Sequence, residues 1–95
     1  MFDIIGFGEA QLRLSTAHFQ RLEQATSFDA TIGGAELNVM VTARRLGLKT
    51  SYVTRLPRNP LGRMVENKAR EQGVDTSNII WTDSDRLGVY FLEFG

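Results

Sequence analysis

Gly33, Gly34 and Asn38, in the run GGAELN, are the first residues of this chain that suggest chemistry. Glycines at the entrance of a helix permit positive φ and remove the Cβ that would hold a ligand off the main chain. The first N–H groups of a helix lack intrahelical partners and carry the positive end of its dipole. Such an entrance suits oxygen-rich, often anionic, small molecules. The Asn38 amide, one turn inside, can donate and accept at once, as hydroxyl groups do. An equal alternative stands beside this one: the glycines form a tight turn and Asn38 bonds the backbone.

Other candidates are weaker. Glu9 ends the first apolar run, and a carboxylate at the carboxyl end of a parallel strand often faces a ligand crevice; a solvated turn residue is the equal alternative. Gly6 to Gly8, GFG, lacks the third glycine of a dinucleotide fingerprint, because Gln11 stands where it would fall. There is no P-loop sequence. His18 is the single histidine, lies in a polar segment, and is expected to be exposed and inert. The absence of cysteine excludes disulfides, a thiolate nucleophile and a cysteine-type zinc site, and one histidine makes no metal cluster. No metal ligands are assigned.

Eleven basic residues balance eleven acidic ones, so no broad field would attract nucleic acid or an anionic lipid surface. No apolar run approaches the ~20 residues that span a bilayer. The start has no positive region before its short apolar run, so no signal peptide is expected. A soluble, cytoplasmic protein is the expectation, with neither nucleic acid nor membrane as partner. Ninety-five residues fit one small domain with an ordinary composition.

The elements that would position these residues follow from periodicity. Phe2 to Phe7 reads as a buried strand, and Gln11 to Ser15 alternates with Leu12 and Leu14 on one face. After a polar stretch, Phe28, Ala30 and Ile32 alternate with polar neighbours as a strand with one wet face. Helical spacing begins at Gly34, with Leu37, Met40 and Val41 in one apolar group and Val39, Ala43 and Leu46 in another. So apolar a helix should be covered on more than one side, with Asn38, Thr42 and Arg45 as its polar stripe. Gly47 should stop it, and Thr50 to Leu56 should resume as a strand, giving a crossover that favours a parallel sheet. A second helix should be capped by Asn59, carry Pro60 at its first position, bury Leu61, Met64, Val65 and Ala69, and stop at Gly73. NIIW and LGVYFLEFG read as strands. The last places Tyr90, Leu92 and Phe94 on one face and Val89 and Phe91 on the other, so it should be central, or covered by something further. The sequence reads as the front of something longer.

The run GGAELNVMVTARRLG resembles the amino-terminal signature of the ribokinase-like (PfkB) carbohydrate kinases. VTRLPRNPLGR, GVDTSNI and GVYFLEF follow where that family has its corresponding loop, its Gly-Val-Asp turn and a lid strand. The details look most like the 2-keto-3-deoxygluconate kinases. The resemblance implies an α/β fold, a ribokinase-like α/β/α sandwich with a small β-sheet lid, present as an amino-terminal portion. The lid strands would lie within about residues 12–32 and 87–94. It implies transfer of the ATP γ-phosphate to a hydroxyl of a sugar acid, with Mg2+ on the phosphates. Substrate contacts carry over to Gly33, Gly34 and Asn38, and Tyr90 would pack on the substrate. The second family signature, with the catalytic base, has no match here, so this chain is expected to be inactive alone and to hold neither ATP nor Mg2+. The family's lid strands often pair between subunits, which implies a homodimer of the whole protein. Met40 and Glu36 stand where the family has small residues, and Arg13 stands where many relatives keep an Asp near the sugar. A free-standing sugar-acid binding or interaction module is the alternative from another class; a fructose or nucleoside kinase is the alternative within the family.

Overall fold

The computed structural model describes residues 1–16, 19–84 and 86–92, and His18 and Phe94 lie outside these described residues. The elements in chain order are β1 (Ile4–Phe7), β2 (Gln11–Ser15), a 3-10 turn (Leu22–Gln24), β3 (Asp29–Gly33), α1 (Ala35–Arg45), β4 (Thr50–Val53), β5 (Arg55–Pro57), α2 (Pro60–Glu71), β6 (Ile80–Thr82) and β7 (Gly88–Leu92). They form a parallel pair β1-β4, a parallel pair β5-β6 and an outer three-stranded sheet in the order β3-β2-β7.

The expected strand from Thr50 to Leu56 is two strands. The chain changes sheets at Thr54, so β4 pairs with β1 and β5 pairs with β6. The crossover is parallel, as expected, but its partners differ. The strand before α1 is β3, which pairs antiparallel with β2 in the outer sheet; the parallel partner of β4 is β1. Nor is β7 central. It lies at an edge beside β2, parallel to it, and Val89 and Phe91 are exposed.

α2 forms where its caps dictate. The Asn59 side chain accepts from the backbone N–H of Leu61 and Gly62, both at 3.0 Å, and satisfies two donors that the helix leaves orphaned. Pro60 needs no donor at the first position. Gly47 and Gly73 end the two helices at φ 92° and 78°. The buried stripe of α2 is Gly62, Val65 and Ala69, while Leu61 and Met64 stay exposed. A Cβ on Gly62 would collide with the Pro57 carbonyl and lie 3.1 Å from Trp81, so the helix turns its bare position toward β5 and β6. That contact rotates the stripe by about a residue from the one expected.

α1 buries Leu37, Met40 and Ala43 against β1 and β4, whereas Val39 (55% exposed) and Leu46 (77%) face outward. β1 is likewise half covered, with Ile5 and Phe7 exposed. The core proper runs from Leu12 through Leu37, Met40, Tyr52 and Leu56 to Val65, Ala69, Val74 and Ile79. Asp75 ties the turn after α2 to β4: its carboxylate accepts from Ser51 Oγ at 3.0 Å, from Ser77 Oγ at 2.8 Å and from the Ser77 N–H at 3.2 Å.

Asn59→Ala should lower stability by about 1 kcal/mol. Gly62→Ala should cost more, about 2 kcal/mol or above, because the added methyl meets backbone. Chemical denaturation of the two variants reads both, and the reverse order would contradict the packing of α2.

Candidate functional site

The glycine pair sits where β3 leaves the outer sheet and α1 begins. Gly34 is the N-cap residue at φ 150° and ψ 126°, a region that side chains rarely enter. A Cβ there would fall 2.9 Å from the Glu9 carbonyl oxygen and 3.4 Å from the Ala10 Cα. A Cβ on Gly33 would fall 2.8 Å from the Tyr90 hydroxyl. The close approach that the glycines permit is therefore made, in the first instance, by the protein itself. Backbone comes up against Gly34, and a tyrosine reaches diagonally across the outer sheet to Gly33.

The GFG run has an equally local explanation. A Cβ on Gly6 would lie 2.9 Å from the Met40 sulfur, and one on Gly8 would collide with the Glu36 side chain. Met40 and Glu36, the two large residues of α1 that depart from the family pattern, thus rest on bare main chain of β1 and the turn after it. Glu36 lies in the first turn of α1, where a carboxylate offsets the positive dipole end. Gly34 supplies no side-chain cap.

The five candidate residues are not equally gathered. Gly33 meets Tyr90, and Gly34 meets Glu9 and Ala10. The Glu9 carboxylate lies 3.7 Å from where a Gly88 Cβ would be. Asn38 stands one turn along α1, exposed, beside an apolar groove of about 440 Å3 lined by Ile4, Val39, Thr42, Ala43, Leu46 and Leu48. Its amide has no hydrogen-bond partner among the described residues, so it does not bond the backbone.

Beyond the carboxyl ends of β1 and β4 opens a cavity of about 330 Å3 lined by Gly8, Glu9, Thr54, Arg55 and Arg86. Such crevices are where open α/β sheets hold ligands. Sequence reasoning found Glu9 but missed Thr54, Arg55 and Arg86. The signal for the first two was the polar pair just after an apolar strand; Arg86 comes from a distant segment and left none. β4 also holds Tyr52, fully buried, its hydroxyl without a hydrogen-bond partner among the described residues. Burial pushes its phenol above the ordinary 10.0, the Thr54 side chain pulls part of the way back, and the Glu36 and Glu9 carboxylates add to the rise. Among the described residues no three His, Cys, Asp or Glu side chains group to hold a metal ion, and no helix is long and apolar enough to cross a membrane.

Known proteins share this fold. Residues 1–95 match the family described as pfkB family carbohydrate kinase. A 2-dehydro-3-deoxygalactonokinase of Haloferax volcanii is 40% identical over 93 residues, covering 98% of this chain and 29% of that protein. A 2-dehydro-3-deoxygluconokinase structure from Thermotoga maritima superposes with a TM-score of 0.91 at 44% identity, covering 97% of this chain and 28% of that one. An uncharacterized sugar kinase of Pyrococcus horikoshii, solved in complex with ATP, gives a TM-score of 0.85 at 28% identity over 93% of this chain and 29% of its own. The chain thus spans between a quarter and a third of the length of these relatives.

Gly34→Ala should cost about 2–3 kcal/mol, from strain at φ 150° and contact with the Glu9 carbonyl. Gly33→Ala should cost less than about 1 kcal/mol, because the tip of Tyr90 can swing away. Equal losses in chemical denaturation would contradict these contacts. Tyr52→Phe should leave stability at pH 7 unchanged or raise it by up to about 1 kcal/mol, since the lost hydroxyl has no partner. The sign at high pH follows from linkage. Below about pH 10 both states keep the phenol proton, and above it the unfolded chain releases that proton first. Wild type should therefore lose stability as pH rises from 10 toward the raised folded value, and the Phe variant should lose less. Parallel alkaline unfolding curves would remove Tyr52 from this account.

Proposed function

The chain belongs to the pfkB family of carbohydrate kinases, and from that premise we propose that it is the amino-terminal part of a kinase that phosphorylates a hydroxyl of a sugar acid of the 2-keto-3-deoxygluconate kind. The outer sheet β3-β2-β7 is its lid, and Gly33, Gly34, Asn38, Tyr90 and Glu9 are its share of the sugar site. The observation that carries this reading is the Tyr90 hydroxyl held against Gly33 at the entrance of α1. It puts an aromatic face and a phenol beside bare main chain, which is what a polyhydroxylated substrate needs for stacking and hydrogen bonds together. The names of the relatives, which include kinases of deoxy keto sugar acids, support the substrate class.

Each residue has a definable task. Gly33 and Gly34 keep side chains off the approach. Asn38, free of other bonds, donates to one substrate oxygen and accepts from another hydroxyl. Glu9, at the mouth of the crevice, accepts from a hydroxyl and orders it toward the carboxyl ends of β1 and β4. Bound ATP with Mg2+ would supply the phosphoryl group and offset its charge. In this reading no residue of this chain is assigned to either. Those sites and the catalytic base belong to the rest of a longer protein, and this chain alone does not catalyse the transfer. Phosphoryl transfer depends mainly on positioning and charge stabilisation, so the contribution here is to hold the acceptor still.

A second copy of the protein is the proposed partner. Phe28 and Phe91 meet edge-on at 5.6 Å, and both stay exposed beside Val89 on an edge-strand face of the lid. That face would close against its equivalent in a homodimer.

In the whole protein, Asn38→Ala should lower kcat/KM for 2-keto-3-deoxygluconate roughly 10- to 100-fold, the usual effect of leaving a substrate hydroxyl unpaired. A substrate panel decides the class. Phosphorylation of fructose or a nucleoside in preference to the sugar acid would overturn this assignment.

A further inference from the structure

The register of the lid separates its two faces. In one cross-strand row Arg13 stands between Thr31 on β3 and Tyr90 on β7, and in the next Gln11 stands between Gly33 and Gly88. Alternate residues share a face, so Arg13, Thr31, Tyr90 and Gly33 point the same way. The Tyr90 hydroxyl meets Gly33 on this face, at the end of β3 that leads into α1. Arg13 is its one cation among the strand residues.

The Arg13 side chain is also held. Its Nε donates to Thr31 Oγ1 at 2.9 Å, which orients the guanidinium plane, and its terminal nitrogens have no bond among the described residues. It borders a cavity of about 430 Å3 at the edge of β3 facing α2, lined by Ala30, Thr31 and Ile32 from the strand and Met64, Asn67, Lys68 and Glu71 from the helix. No ion pair joins Arg13, Lys68 and Glu71 to one another among the described residues. Two cations facing one carboxylate leave a single positive charge, the complement of a monoanion.

We propose that Arg13 is the specificity-determining residue of the sugar site: it receives the substrate carboxylate at the mouth of the α2 cavity, with Lys68 adding charge behind it. The rest of the acid lies along the lid face toward Tyr90 and Gly33. A planar, oriented guanidinium with free terminal nitrogens matches a carboxylate in two-point fashion, which a lysine at that place could not. The Glu36 carboxylate already offsets the entrance of α1, so the cation that tells an acid from a neutral sugar comes from the lid. This inference rests on the sugar-acid kinase reading and adds to it the group that selects the acid.

The test uses the whole protein with 2-keto-3-deoxygluconate and its neutral amide. Arg13→Gln should lower the ratio of kcat/KM for acid over amide about thirtyfold, mostly through KM for the acid, while Arg13→Lys should keep part of the ratio. Thr31→Val, a mild change on a strand, should lower the ratio severalfold by releasing the guanidinium, and serves if Arg13→Gln does not fold. An unchanged ratio in Arg13→Gln, or equal losses on both substrates, overturns the assignment of Arg13 and leaves the kinase reading intact. A wild-type protein that phosphorylates neither compound overturns both.

Discussion

The contact between the first turns of α1 and the chain around β1 organises the rest of the molecule. It is made through missing side chains: Met40 over Gly6, Glu36 over Gly8, and the Glu9 carbonyl against Gly34. Close-packed interiors forfeit dispersion energy for each gap, and here the gaps are closed by letting helix and strand approach at positions with no Cβ. The contact also fixes the root of the outer sheet, because β2 leaves from Ala10 and β3 enters at Gly33, both beside it. Helix orientation, the position of the outer sheet and the placing of Asn38 are thus one geometric fact.

From that root the chemistry divides between two surfaces. The entrance of α1 offers main chain and an amide, but its positive end is partly answered by Glu36. The outer sheet carries the aromatic ring of Tyr90 and the charge of Arg13 in one row. In the reading proposed above, neutral hydrogen bonding and charge recognition come from elements on opposite sides of Gly33. Tyr52 is a buried phenol of β4 whose protonated form the surroundings favour.

Much of this was legible in the sequence, where the signal was local. The caps of α2, its Pro60 start and its Gly73 stop depend on neighbours within a turn, and the structure has them as read. The alternation of β2 and β3 was likewise visible, because a period of two needs only a few residues. What escaped reading depends on distant partners. Leu61 and Met64 looked buried because the stripe could not show that Gly62 would face Pro57 and Trp81. The change of sheet at Thr54 was not read, because it depends on the partners of β4 and β5, which lie far apart in the sequence. The same holds at the site. Gly33, Gly34 and Glu9 stood out by type and spacing, whereas Arg86 reaches its crevice from a segment with no motif of its own. GFG lacked the third glycine of a nucleotide turn and was left without a role, and its use as a seat for α1 appears only once the helix is packed.

The pairing of β2 carries a consequence for how the chain assembles. This strand is bordered on one side by β3, close in sequence, and on the other by β7, the most distant of the described strands. During synthesis β2 and β3 can form a hairpin early, but one edge of β2 stays open until almost everything described here has been made. Pairings between strands so far apart form late, since the intervening loop must first be closed. The parallel partner of β2 thus emerges after the other strands described here, and a ribosome that pauses before it leaves an unpaired edge on display, which chaperones would have reason to guard.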